Sequence, residues 1–182
     1  MSGFIRRTAR TVYENPWIRF EAYEIVHPSG QPGEHGLVTA PPAVAVVVLD
    51  GDDVLLARQA RFAIDRVILE VVKGGGSADE APQVSAEREL AEELGYRARR
   101  WDDLGIGFEL PSIVQPPVHL FLARDLIAVE TDQQPEESIV TVRMALSNVL
   151  RACESGEIND AITALALMRA RRILGNQDAY GD

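Results

Sequence analysis

Four charged residues lie close together in the chain: Arg88, Glu89, Glu92 and Glu93. On a helix turning about 100° per residue they share one arc, while Val84, Ala86, Leu90, Ala91 and Leu94 take the other. Glu89 and Glu93 form an i, i+4 pair and Glu92 lies within the same turn, so three carboxylates converge where like charges repel. A cation would relieve them. Arg88 offsets one charge, and hard oxygens at this density suit Mg²⁺ or Mn²⁺ rather than zinc, which favours Cys and His. Taken alone, the triplet also has the pattern of a solvated acidic face. Upstream, Lys73-Gly74-Gly75-Gly76 leaves an expected strand. It reads as a flexible loop whose backbone can approach phosphates or lend carbonyls to a metal.

Stepping outward, the acidic residues need a helix, and the pattern gives one over Gln83 to Leu94 with Gly95 as its C-terminal cap. Ala43 to Leu49 is a continuous, β-branched apolar run, expected as a strand buried on both faces. Asp50-Gly51-Asp52-Asp53 turns it into a second strand, Val54 to Ala57. Further strands are expected at Val67 to Val72, Gly105 to Phe108, His119 to Ala123 and Ile139 to Met144. Two helices close the chain, Leu146 to Ser155 and Asp160 to Leu174, the second capped by Asp160 and stopped by Gly175. Strands flanked by helices imply an α/β/α sandwich. Before it, Trp17 to Val26 alternates as a half-buried strand, and the turn residues from His27 to Gly33 reverse it into a small antiparallel sheet. The expected division is a strand extension over 1–40, one catalytic domain over 41–178 and a tail over 179–182.

Composition narrows the partners. The 182 residues, 46% hydrophobic and 25% charged, are ordinary for a globular domain. No apolar run approaches the roughly 18 residues of a membrane helix, and the N-terminus lacks a secretory signal core. A cytoplasmic protein with no membrane partner is the expectation. The net charge of −10 repels a phosphate backbone, so nucleic acid is excluded as a partner. A small anionic substrate is compatible where bound cations reverse the local field. The single cysteine, Cys153, forms no internal disulfide and reads as a small buried hydrophobe.

Gly74, five residues, Glu80, seven residues, then Arg88-Glu89-Leu90-Ala91-Glu92-Glu93-Leu94-Gly95-Tyr96 resembles the Nudix box at every fixed position, with Tyr96 where an aliphatic residue is usual. The resemblance implies a mixed-sheet α/β/α sandwich that hydrolyses nucleoside diphosphates linked to another moiety. It implies Glu89 and Glu93 as principal metal ligands, Glu92 as a further ligand or water-orienting group, and Arg88 as the residue that fixes the glutamates. The backbone carbonyl of Lys73 or Gly74 would complete the coordination.

Outside the box, Arg58-Gln59-Ala60-Arg61, Glu70 and Pro111 resemble features of the ADP-ribose pyrophosphatase group. By that likeness Arg61 contacts a phosphate or ribose, Glu70 lies near the substrate, and Pro111 is the marker proline. Val72-Lys73 and Ser112 depart from the group's usual Pro-Ala and acidic loop and resemble the broader ADP-compounds hydrolases. Glu137, or Glu136, occupies the place of a loop base. Trp17 is a candidate to stack an adenine, in a segment that similar enzymes exchange between the subunits of a homodimer. A ligand sensor and a nucleoside triphosphate pyrophosphatase are the rival readings.

Overall fold

The computed structural model describes residues 3–77, 79–131 and 138–178, with side chains through Gly175. The chain divides into two compact units, Met1–Pro41 with Phe108–Pro117, and Pro42–Gly107 with Val118–Asp182.

The first unit is a three-stranded antiparallel sheet of β1 (Ile5–Glu14), β2 (Arg19–Val26) and β3 (Pro32–Thr39), in that order. Asn15 makes the first reversal, its Oδ1 accepting from the backbone N–H groups of Trp17 and Ile18 at 2.9 and 2.8 Å. The second reversal is the expected one, closed by Gly30 N–H on His27 O at 2.8 Å, with Gly30 at φ 85°. β1 escaped the sequence reading because Arg6, Arg7 and Arg10 interrupt any apolar alternation. All ten of its residues are exposed, so no buried face imposes a pattern on it. Residues 108–117 join this unit through a parallel bridge of Val114 to Val38 and a 2.8 Å bond between His35 Nε2 and Ser112 O.

The second unit is the α/β/α sandwich. Its seven-stranded mixed sheet runs β10 (Val140–Ala145), β5 (Asp53–Arg61), β4 (Ala43–Asp50), β9 (Val118–Ala128), β8 (Tyr96–Gly107), with β6 (Arg66–Glu70) on β5 and β7 (Val72–Gly75) on β4. The β4–β9 pair is parallel and the others antiparallel. Helix α1 (Pro82–Leu94) covers one face; α2 (Leu146–Ser155) and α3 (Ala161–Asp178) cover the other. The apolar run of β4 explains itself here. Ala45, Val47 and Leu49 enter the core under α2 and α3, while Val44, Val46 and Val48 enter the core under α1.

Several expected boundaries shift, each for a local reason. The single strand expected over Val67 to Val72 is two, because β4 and β5 pair only near their turn and then diverge. β6 follows β5, β7 follows β4, and Val71 marks the crossing. The Val71 N–H, lost to the ladders there, donates instead to Thr163 Oγ1 at 3.1 Å. β8 starts nine residues before the expected Gly105, since its half-exposed first part is rich in Arg and Asp. α3 continues through Gly175 to Asp178, so that glycine does not stop it. Gly95, at φ 71°, does end α1 as expected, its N–H reaching Ala91 O.

Candidate active site

The acidic arc of α1 is only partly open to water. Glu93 is 4% exposed and buried Ser85 lies on the same side, whereas Val84, assigned to the core face, is exposed. The reason lies in β7. Gly74 and Gly75 are not a loose loop but strand residues paired with Val44 and Ala43; the Glu89 carboxylate rests on the bare backbone of Gly74, and the Gly75 carbonyl faces Arg88. A Cβ placed on Gly74 would lie 1.9 Å from the Glu89 carboxyl carbon, and one on Gly76 would lie 2.9 Å from Ser85 Oγ. The glycines therefore act through close approach.

Arg88 organises what lies against them. Its Nη1 donates to Glu89 Oε1 at 2.7 Å and to Glu92 Oε2 at 3.0 Å, while Nη2 donates to Gly75 O at 2.7 Å. Glu80 Oε1, 3.8 Å from Arg88 Nη2, accepts from Ser85 Oγ at 2.6 Å. One guanidinium thus ties two carboxylates to the glycine strand, which is more than the single charge it was expected to offset. Burial opposes its charge, but the carboxylates of Glu89 and Glu92 override that and raise its pKa. A cleft of about 600 Å³ opens beside Arg88 and Glu92, lined also by Arg97, Arg99 and Trp101.

A second polar group forms where β6 crosses to β7. Ala57, packed under α1, stands directly across from Glu70, so by strand alternation Gln59 and Arg61 share that face with Glu70. Arg61 Nε donates to Glu70 Oε1 at 2.6 Å, and Lys73 Nζ lies 2.6 Å from Glu70 Oε2. Lys73 Nζ also donates to Asp160 Oδ1 at 2.9 Å, and Asp160 Oδ2 accepts from the Thr163 N–H at 2.8 Å, as an N-cap does. Glu70 has no exposed surface and both its oxygens are in ion pairs. Its carboxylate is therefore turned to Arg61 and Lys73 rather than to solvent. Arg61 keeps 36% of its side chain exposed. Burial would lower the Lys73 pKa, yet its ion pairs with Glu70 and Asp160 raise it above 10.5. Burial likewise opposes the Asp160 carboxylate, but the Thr163 hydrogen bond and Lys73 hold its pKa below 3.8. Gln59 Nε2 is buried without a hydrogen-bond partner among the described residues.

Sequence reasoning had Lys73 as a departure and Asp160 as a cap, and missed that they meet. No local signal joins residues 87 apart. Among the remaining candidates, Trp17 is 72% exposed in the β1–β2 turn. Pro111 is exposed and opens a turn in the first unit. Glu136 and Glu137 lie outside the described residues.

Comparison with known proteins agrees with this architecture. Residues 39–164 match the NUDIX domain family. An ADP-ribose pyrophosphatase of Bacillus subtilis (strain 168) is 32% identical over 143 residues, covering 77% of each chain. A CMP-5'-(N-acetyl-N-hydroxy-3-aminopropyl)phosphonate hydrolase of Streptomyces rubellomurinus (strain ATCC 31215) is 29% identical over 179 residues, covering 98% of this chain and 87% of its own. Among solved structures, a crystal structure of an ADP compounds hydrolase superposes with a TM-score of 0.85 at 23% identity, over 96% of this chain and 95% of the other. The matched span holds the glycine strand, α1 and the Arg61–Glu70 pair, and on that ground the chain belongs to the Nudix hydrolases.

Proposed function

We propose that the protein is a Mg²⁺-dependent pyrophosphohydrolase that splits ADP-ribose or a related ADP-linked compound into AMP and a phosphorylated remainder. The observation that carries this reading is the Arg88 clamp, which fixes Glu89 and Glu92 against the Gly74–Gly75 backbone. The ADP-ribose pyrophosphatase relative supports the substrate class.

The donor set fits a hard divalent ion: Glu89, Glu92 and Glu93 offer only oxygen, and the Gly74 backbone lies against Glu89. Among the described residues no group of three His, Cys, Asp or Glu converges tightly enough to enclose an ion. Backbone carbonyls, water and the substrate's phosphate oxygens would complete the shell, as is usual for Mg²⁺. When bound, such an ion neutralises charge on the pyrophosphate. Within the chain, Glu89, Glu92 and Glu93 would hold the ion or orient the attacking water, and Arg88 keeps the carboxylates in place. Arg61 binds a phosphate or ribose oxygen through its outer amino groups, with Trp17 and Pro111 proposed as further substrate contacts. Glu137 is proposed to take the proton of the water whose oxygen bonds to phosphorus as the bridging P–O bond breaks.

The same reading makes the enzyme cytoplasmic and homodimeric, with a small nucleotide as its substrate. No described helix is long and apolar enough to cross a membrane. Incubation of purified protein with ADP-ribose and Mg²⁺ should release AMP, and EDTA should stop it. Inactivity across a panel of ADP compounds would sink the proposal, and preferential turnover of free nucleoside triphosphates would redirect it.

A further inference from the structure

We propose that Lys73 is a positioning residue for substrate binding: its ammonium bridges Glu70 and Asp160, so that the start of α3 holds the buried carboxylate that aims Arg61. The inference rests on the reading of Arg61 as a substrate contact.

The four side chains alternate in charge along one chain of contacts, Arg61 to Glu70 at 2.6 Å, Glu70 to Lys73 at 2.6 Å and Lys73 to Asp160 at 2.9 Å. Glu70 is wholly buried, and among the described residues its charge is paired by two cations, Arg61 and Lys73. Each takes a different oxygen. Lys73 on Oε2 leaves Oε1 for the Arg61 Nε, a geometry that turns the inner nitrogen of Arg61 toward the carboxylate. The outer amino groups of Arg61 make no hydrogen bond or ion pair among the described residues. Removing the ammonium frees Oε2, and the guanidinium can then rotate to take both oxygens in the bidentate geometry that arginine favours. That rotation commits an outer nitrogen to Glu70 and withdraws it from the ligand. Asp160 anchors the bridge because its other oxygen caps α3 through Thr163, fixing the carboxylate to a rigid element. At the residue before the box glycine, the lysine thus has a role that neither the glycine strand nor the acidic helix supplies.

The test is binding of ADP-ribose by calorimetry in EDTA, where the metal ligands contribute nothing and no turnover occurs. Arg61→Ala and Lys73→Met are each expected to weaken binding about 10-fold, the scale of one charge-assisted hydrogen bond. The double variant should be no more than about threefold weaker than either single one, because both act through one contact. Asp160→Asn keeps a capping oxygen and should weaken binding in the same direction by about threefold, which covers the case in which Lys73→Met does not fold. Wild-type affinity in Lys73→Met beside a weakened Arg61→Ala, or losses that multiply in the double variant, would overturn the positioning role. Wild-type affinity in Arg61→Ala would instead remove the Arg61 contact, and the role of Lys73 with it.

Discussion

At the scale of single residues, the acidic cluster is governed by where each carboxylate is held. Glu92 remains partly exposed, Glu89 rests against the Gly74 backbone and Glu93 is buried. Gln matches Glu in shape, so Glu93→Gln keeps the buried space filled. Glu93→Gln is expected to lower kcat by at least about 100-fold, the scale of losing one pre-organised electrostatic group, with the thermal midpoint and far-UV dichroism kept. Near-wild-type turnover would place the catalytic centre away from α1.

At the scale of elements, β7 shows why the glycines matter. An added Cβ at Gly74 meets the end of a flexible side chain, not backbone, so the fold can absorb it while the Glu89 carboxyl must move. Gly74→Ala should therefore cost no more than about 1 kcal/mol in denaturant unfolding, yet reduce kcat/KM more than about 10-fold. Equal losses in both would show that the strand, and not the carboxylate, needs the glycine. The junction of β7 with α3 makes a prediction about acid. The Asp160 pKa is depressed in the folded chain, so its contribution to stability is present above 3.8 and lost as pH falls through the lower folded value. In urea melts from pH 6 to pH 2, Asp160→Asn should lose stability less steeply below about pH 4 than wild type. Parallel curves would assign the acid sensitivity to other carboxylates. Lys73 acts at the opposite end of the scale. Its raised pKa keeps its contribution present below 10.5 and removes it only at higher pH.

At the scale of the whole molecule, the first unit presents β1 with every residue exposed, including Ile5, Val12 and Tyr13. A ten-residue strand on a sheet edge is an unpaired ladder that chains usually cover. Light scattering after size exclusion should therefore give about twice the chain mass, and deletion of residues 1–14 should give a monomer. A wild-type monomer would end the homodimer proposal.

The candidate site was legible in the sequence where the residues that form it are local. Arg88, Glu89, Glu92 and Glu93 belong to one helix, whose turn places them together whatever surrounds it, and Gly95 ends that helix by its own backbone freedom. β4 was equally legible, since burial on both faces leaves an unbroken apolar run. β1 and the first half of β8 were not, because exposed strands carry no apolar pattern to read. Only the tertiary structure decided that the glycines form a strand floor, that Glu93 and Glu70 are buried, and that Lys73 meets Asp160. Periodicity records what neighbours along the chain share, whereas these contacts arise where β4 and β5 diverge and α3 packs against the opening, across separations that no spacing rule spans.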